Sequence, residues 1–227
     1  MYVNSGYLHN SLVDFKDKSR PLVVGSCGTY KLYTRPTLPT YRPRGRIDFQ
    51  ILYIASGKAH FFLDGKDVIV TAGHMVLYQP KEIQRYIYYG SDQTEVFWVH
   101  FTGNNVKNIL KGYQIPLTSH VFYIGKFPKY RQLFQEMIQE LQLCRPHYEE
   151  LLTLLLHQLF ILISRQLNEG RKVSDPVQNE METAIRHFSE NYNTDIVIED
   201  YASSMHRSTV WFIRTFKQYT GMSPMQY

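Results

Sequence analysis

The sequence predicts an α+β protein in which an antiparallel β-barrel of the jelly-roll kind is followed by a helical segment and a small helical unit. Most of the 18 Tyr and 13 Phe precede residue 135, and aromatic residues favour sheet. Between residues 47 and 101, apolar runs and turn residues alternate about every ten residues, as in antiparallel strands. After residue 127 the apolar period becomes helical.

The predicted barrel spans residues 21–125 and follows an arm at 1–20. Its predicted strands are, in order, FQILYIA, AHFFLDG, KDVIVTAG, HMVLYQP, IQRYIYYG and TEVFWVHFTG. Gly and Asp-Gly turns separate the early strands. Residues 1–45 contain four prolines and are expected to be irregular, with short strands only.

Two helices are predicted within residues 127–168. The first has an apolar stripe made of Leu133, Phe134, Met137, Ile138 and Leu141. The second, EELLTLLLHQLFILISRQL, is apolar on more than one face and must therefore be buried on more than one side. We expect these helices to pair two copies of the chain in a homodimer. The charged, Gly- and Pro-containing residues 171–178 are predicted to be a linker.

Residues 179–227 are predicted to form three helices and the start of a fourth. A helix near 198–205 precedes a turn, and Ser208 can cap the next helix because its hydroxyl accepts a bond from a free backbone N–H. Gly221 is expected to end that helix. Two short helices joined by such a turn have the pattern of a helix-turn-helix.

The third of these helices has two distinct faces. Phe212 and Phe216 are four residues apart and are expected to face the core with Ala202 and Met205. The opposite face then presents Val210, Ile213, Arg214 and Lys217. An exposed face of this kind can enter a major groove, although a plain three-helix packing unit would show the same pattern.

Charge and cysteine content narrow the function classes. The net charge is +5, but residues 1–50 hold eight Lys or Arg against three Asp or Glu, so bulk charge does not indicate nucleic-acid binding. Cys27 and Cys144 are far apart, which indicates neither a zinc site nor a disulfide framework. The N-terminus does not resemble a signal peptide, and no stretch is expected to span a membrane, so a cytoplasmic location is expected.

Residues 198–227 resemble the first helix-turn-helix of the AraC/XylS family of transcription regulators. The matching positions form one ungapped run: Glu199, Asp200, Ala202, Ser208, Arg214, Phe216, Lys217, Thr220, Gly221, Ser223, Pro224 and Tyr227. The resemblance implies base contacts from Val210, Ile213 and Arg214. It implies phosphate contacts from Ser208, Thr209 and Lys217.

The sequence also departs from that pattern. His206 occupies a turn position that is usually Gly, and Val197 occupies a cap position where Ser or Thr would accept a bond. The family has a second helix-turn-helix, whereas this chain stops at Tyr227, so residues 179–227 are expected to be a truncated unit. Operator DNA is therefore an expected partner that residues 1–227 bind only weakly.

The first part of the chain resembles the cupin-like sensor domain of the same family. The motif is Arg-Pro-x-Gly-Arg, strand, Ser-Gly-Lys, strand, Gly, Leu-Tyr-x-Pro, strand, Trp-x-x-Phe, and the domain would cover residues 1–170. The resemblance implies that Arg42, Tyr86 and Trp98 contact a small polar effector such as a sugar or glycoside. His100 shares a strand face with Trp98. The aromatic residues could instead be ordinary barrel core.

Metal and enzyme chemistry are not expected. Enzymatic cupins bind metal through a His-x-His pair, a Glu and a later His. Here only His60 is present, Phe62 takes the second position and Gln84 the later one, and one imidazole does not make a metal site. We expect no cofactor and no catalytic residue. The first hypothesis is a ligand-responsive regulator, and the alternatives are a sensor and dimerisation module without effective DNA binding, or a cupin enzyme.

Overall fold

A computed structural model describes residues 1–11, 16–169, 175–191 and 195–227 of the chain. They form two compact units, Met1–Asn168 and Glu169–Tyr227. Within the described ranges the first unit has ten strands and three α-helices, and the second has three α-helices. The predicted α+β class with antiparallel sheets is confirmed.

The elements have the following bounds. The strands are β1 (Tyr2–Tyr7), β2 (Val23–Lys31), β3 (Thr37–Arg42), β4 (Phe49–Ser56), β5 (Lys58–Leu63), β6 (Lys66–Thr71), β7 (His74–Tyr78), β8 (Gln84–Tyr89), β9 (Glu95–Thr102) and β10 (Val121–Tyr123). The helices are α1 (Val106–Gly112), α2 (Pro128–Leu143), α3 (Tyr148–Glu169), α4 (Asp175–Glu190), α5 (Ile198–Ser204) and α6 (Thr209–Thr220). The six predicted strands correspond to β4–β9.

The strands make two antiparallel sheets. The larger has the order β1-β2-β9-β4-β7-β10, and the smaller has the order β3-β8-β5-β6. Because side chains alternate along a strand, each sheet has an inner and an outer face. The inner faces share a buried cluster that contains Leu32, Leu52, Ile54, Ala59, Phe61, Leu63, Val70, Val76, Tyr78, Tyr86, Tyr88, Val96 and Trp98. This shared cluster is the interior of the barrel.

The helices α2 and α3 pack on the outer face of the larger sheet. The predicted stripe of α2 is fully buried there, as Leu133, Phe134 and Met137 illustrate. Among the described residues, α3 is the one helix long and apolar enough to cross a membrane, a test that the core helix of a soluble protein also passes. Leu156 and Phe160 of α3 are buried in the apolar cluster that lies against this sheet face.

The region predicted at 1–45 as an arm and short strands is more regular than expected, and residues 12–15 of the predicted arm at 1–20 lie outside the described residues. Tyr2–Tyr7 is a strand that pairs with β2 along its whole length. The nine-residue β2 lies between β1 and β9 inside the larger sheet. Its two glycines and small polar residues give it weak strand propensity, so local composition did not reveal it. Pairing on both edges holds it in the sheet.

Two further boundaries need correction. The linker predicted at 171–178 is shorter, because α4 begins at Asp175 in an Asp-Pro pair typical of a helix start. Residues 171–174 of that linker lie outside the described residues. The helix α1 at Val106–Gly112 was not predicted and lies within the region assigned to the barrel. It spans less than two full turns, too short for a clear apolar period.

The second unit has a small core of its own. Its buried members are Met181, Ala184, Phe188, Ala202, Phe212 and Phe216. Phe212 and Phe216 lie one helical turn apart on α6, which confirms the face assigned to the core, and Met205 packs against the cluster partly buried. The unit therefore buries aromatic rings contributed by α4 and α6.

Candidate functional site

Arg42 and Tyr86 lie together on the inner side of the smaller sheet. Arg42 ends β3 and is paired in register with Gln84 at the start of β8. Its Nη1 donates to Gln84 Oε1 at 2.9 Å and to the Tyr86 hydroxyl oxygen at 3.3 Å. Arg42 is half-buried, while Gln84 and Tyr86 are buried. One guanidinium nitrogen thus holds two neighbouring side chains at the end of the barrel interior.

Trp98 and His100 face the same interior from β9. Their ring centroids are 4.7 Å apart and both side chains are buried. The Trp98 ring also lies 6.2 Å from Tyr7 and 6.1 Å from Tyr30, measured between centroids. Burial lowers the pKa of His100, and the positive charges of Arg46 and Arg42 lower it further. The four predicted ligand-binding residues therefore share one neighbourhood.

A row of polar residues crosses the larger sheet beside His100 and was missed by the sequence reasoning. In register, His100 faces Ser26 on one side and Gln50 on the other, and Gln50 in turn faces Tyr78. Ser26 Oγ and His100 Nδ1 are hydrogen-bonded at 2.8 Å. The signal was present in the sequence, since Gln50 is a lone amide inside the apolar run FQILYIA.

Several buried polar atoms of this interior lack a hydrogen-bond partner among the described residues. They are Gln50 Oε1, the Tyr78 hydroxyl, Gln84 Nε2, the Tyr88 hydroxyl, Trp98 Nε1 and His100 Nε2. A buried polar group without a partner costs roughly 1–3 kcal/mol. Their concentration in one interior indicates groups that can turn to a polar ligand.

The tyrosine and histidine side chains of this interior stay uncharged because they are buried. Burial raises the pKa of the Tyr78 and Tyr88 hydroxyls, so both remain protonated. Burial, followed by the charges of Arg46 and Arg42, lowers the pKa of His100, so its imidazole is neutral at pH 7. The site therefore offers neutral donors and acceptors around a single arginine.

A second arginine nearby is compensated by an acid. Arg46 and Asp48 are both buried, and the guanidinium donates to the carboxylate at 2.6 Å from Nε and at 2.9 Å from Nη2. Such a two-bond pair is the strong form of ionic contact. For Arg42, the described residues supply no carboxylate within ion-pair distance.

The second unit places the predicted DNA-contacting residues on α6 and its cap. Ser208 Oγ accepts a bond from the Trp211 backbone N–H at 3.3 Å, which confirms the cap. Thr209 begins α6 and is half-buried. The side chains of Val210, Ile213, Arg214 and Lys217 are exposed. The face opposite the core is therefore the predicted one.

In the turn before α6, the residue at the usual Gly position has a left-handed backbone conformation. His206 has φ +56°, in the left-handed region where the sequence pattern favours Gly. Val197 provides no side-chain cap to α5. Arg207 donates to Glu180 from Nε at 3.1 Å and from Nη2 at 2.8 Å, and it stacks over Trp211. Of the three cations near α6, one is therefore paired with an acid.

Comparison with known families gives a match over more than half of the chain. The model that matches is that of the AraC-like ligand binding domain, over residues 26–160. The chain belongs to this family. The matched region of this AraC-like domain contains β3, β4 and β7–β9, which carry the polar interior. Its family is thus one of ligand-binding domains.

Solved structures give distant likenesses. ToxT from Vibrio cholerae O395 bound to (E)-4-(8-methylnaphthalen-1-yl)but-3-enoic acid is 14% identical, with 92% of this chain and 98% of that chain covered and a TM-score of 0.40. The EutQ protein of Clostridium difficile is 19% identical, with 35% and 57% covered and a TM-score of 0.27. A Cupin 2 conserved barrel protein from Salinispora arenicola is 14% identical, with 40% and 71% covered and a TM-score of 0.28. Curated protein sequences gave no match.

In this AraC-like domain, the histidine that suggested a metal ligand points away from the interior. Ala59 and Phe61 of β5 face inward, whereas His60 and Phe62 lie on the outer face. His60 Nδ1 is 3.7 Å from Asp67 Oδ2, and its ring meets Tyr89 edge-on. Within the described ranges, no three His, Cys, Asp or Glu side chains are grouped to hold a metal ion. That the protein binds no metal stays a prediction.

Proposed function

We propose that this chain is a ligand-responsive transcription regulator whose barrel binds a small polar molecule, such as a sugar or glycoside. The observation that carries the proposal is the buried polar interior around Arg42, in a chain that belongs to a ligand-binding family. Trp98 would stack on the apolar face of the ligand ring, while Arg42, Tyr86 and His100 would bond its polar groups. The proposed location is cytoplasmic, and no catalytic role is proposed.

We propose that α6 contacts operator DNA. In this proposal Arg214 reads a base edge beside Val210 and Ile213, while Lys217 and the capping Ser208 and Thr209 contact phosphates. The exposure of this face and the cap at Ser208 support the proposal.

We propose that helices within 127–168 pair two copies of the chain. The buried stripe of α3 leaves a second apolar face, on which Leu154 is 65% exposed and Leu151 is 42% exposed. Contiguous apolar surface of this kind marks contact sites in soluble proteins. A two-fold pairing would bury it on both copies.

A second candidate function is a sensor and dimerisation module that binds DNA weakly. The pairing of Arg207 with Glu180 favours it, because that pairing leaves Arg214 and Lys217 as the cations of the exposed face. Each phosphate contact that is missing removes a counterion-release term from the affinity. Residues 1–227 are then expected to bind DNA weakly, with strong salt dependence.

Fluorescence tests the sensor function. Trp98 and Trp211 are the only tryptophans, so Trp211→Phe leaves Trp98 as the sole reporter. We expect a compound from a broad carbohydrate panel to quench Trp98 and raise the unfolding temperature. A panel without quenching or stabilisation would favour the view that the aromatic residues are only barrel core.

DNA anisotropy separates the two candidates. We expect the affinity of residues 1–227 for DNA to fall steeply between about 50 and 200 mM salt, because phosphate contacts release counterions. Arg214→Ala should weaken binding further, because a base-edge contact from Arg contributes about 1–3 kcal/mol. Arg85→Ala, on the outer face of the barrel, is the matched control. Nanomolar, sequence-selective binding at physiological salt would refute the second candidate.

A further inference from the structure

Several N–H groups of Arg42 and Gln84, at the end of the barrel interior, have no hydrogen-bond partner among the described residues. The Nη1 group of Arg42 donates hydrogen bonds to Gln84 and Tyr86. Its Nε and Nη2 have no partner among the described residues, and these two groups form the edge of a guanidinium that binds a carboxylate side-on. Gln84 Nε2, also without a partner within the described ranges, adds a donor close by. Arg42 and Gln84 thus both offer N–H groups that have no partner among the described residues.

The interior carries a positive charge at Arg42. The described residues pair Arg46 with Asp48 but give Arg42 no acid. Burial, followed by Tyr86 and Glu82, raises the pKa of Tyr78. Glu82 accepts a bond from the Gln79 backbone N–H at 2.6 Å, and the described residues show no ion pair between it and Arg42. Burial is the main cause of the lowered pKa of His100, and the positive charges of Arg46 and Arg42 add to it. Among the described residues, the positive charge of Arg42 therefore has no carboxylate paired with it.

Other polar groups of the interior can bond the hydroxyl groups of a ligand. Gln50 Oε1 needs a donor, and the Tyr78 and Tyr88 hydroxyls can give or accept a bond. A hydroxyl group is both a donor and an acceptor, so it can satisfy either kind of atom. The site thus combines a carboxylate-binding edge with hydroxyl-binding groups.

We infer that the barrel binds a hydroxylated carboxylic acid of the sugar-acid class, with its carboxylate at Arg42 and Gln84. Gln50 and Tyr78, which pair across the larger sheet, then bond the hydroxyl groups and determine which acid is accepted. This inference rests on the proposed function of the barrel as a sensor. It goes further by assigning the charge of the ligand and two specificity-determining residues.

Matched ligands test the charge directly. Glucuronate, galacturonate and mannuronate are each compared with their methyl ester and their parent hexose, using Trp98 quenching in the Trp211→Phe protein. We expect at least one acid to bind at least tenfold more tightly than both neutral partners, because an Arg–carboxylate pair is about twice as strong as a neutral hydrogen bond.

Three variants locate the effect. Arg42→Met removes the charge, and Gln84→Glu places a carboxylate next to Arg42 without changing side-chain size. Both should abolish the preference for the acid. Arg85→Met removes the same charge from the outer face, where Arg85 stacks over Phe62, and should leave the preference unchanged. If Arg42→Met does not fold, Gln84→Glu still tests whether the preference for the acid depends on the charge at Arg42.

The outcomes separate the two hypotheses. Equal binding of acid, ester and hexose would overturn the sugar-acid inference and leave the sensor function standing. An acid preference that survives Arg42→Met or Gln84→Glu would overturn the assignment as well. If none of the nine compounds binds while the circular dichroism is native, the inference is wrong and the sensor function loses its support for carbohydrate-like ligands.

Discussion

Gly28 is the position where the packing of the candidate site can be tested most sharply. It lies on β2 directly opposite Trp98. A Cβ added at Gly28 would lie 2.5 Å from Cζ2 and 2.8 Å from Cε2 of the Trp98 ring, and 2.9 Å from Cβ of Ser5. Carbon atoms normally approach to about 3.5–4.0 Å. The added methyl group would therefore overlap the indole by about 1 Å.

Neither neighbour can move freely. Trp98 is packed between the two sheets, and Ser5 belongs to a strand paired along its length. Overpacking of this kind costs about 1–3 kcal/mol. For a protein of this size, 1 kcal/mol corresponds to about 2–4 °C in the unfolding midpoint. Gly28→Ala should thus lower the midpoint by roughly 2–12 °C and shift the Trp98 emission.

The assay is thermal unfolding by circular dichroism, with emission spectra recorded in the Trp211→Phe background. Gly112→Ala is the matched control, because nothing lies within 4 Å of its added Cβ and its φ is ordinary. Ala there should be neutral or stabilising, since it favours helix over Gly. If Gly28→Ala matches the parent in midpoint and emission, the account of the Trp98 packing is wrong.

Three further predictions follow from the same structure. If the proposed dimer forms through α3, Leu154→Asp should give a folded monomer in sedimentation velocity, because it puts a charge on the exposed face of α3. A parent protein that is already monomeric would contradict this. The folded-state pKa of His100 lies below its ordinary value of 6.5, so the unfolded chain takes up the proton first and the free energy of unfolding should fall as the pH drops below 6.5. His100→Gln should reduce this loss of stability in urea titrations. An unchanged dependence on pH would refute the role of His100. Elemental analysis should find no stoichiometric transition metal, and one bound ion per chain that is lost in His60→Ala would be the opposite result.

Local patterns were sufficient for most elements. The strands β4–β9 and the helices α2 and α3 were predicted because their apolar periods of two and of 3.6 residues are properties of short segments. The Ser208 cap was also predicted, since a cap depends on a few neighbouring residues. That His206 has a positive φ is a finding of the structure. Short α1 and glycine-containing β2 lacked such a period and were missed.

The candidate site was predictable only in part. The family resemblance placed Arg42, Tyr86 and Trp98, and the structure brings them into one neighbourhood. That they bind a ligand stays a prediction. Gln50 and Tyr78 were missed because their role depends on strand pairing across the sheet, which a segment of sequence does not reveal.

The sequence by itself determined the class of the fold, the alternation of inner and outer residues, and the faces of α6, because these follow from periods within single elements. Only the tertiary structure decided which polar atoms share one interior, that His60 points outward, and that Arg207 is paired with Glu180 while Arg42 has no acid within the described residues. The physical reason is that hydrogen bonds and ion pairs form between atoms brought together by long-range strand and helix packing. Their partners lie tens of residues away along the chain.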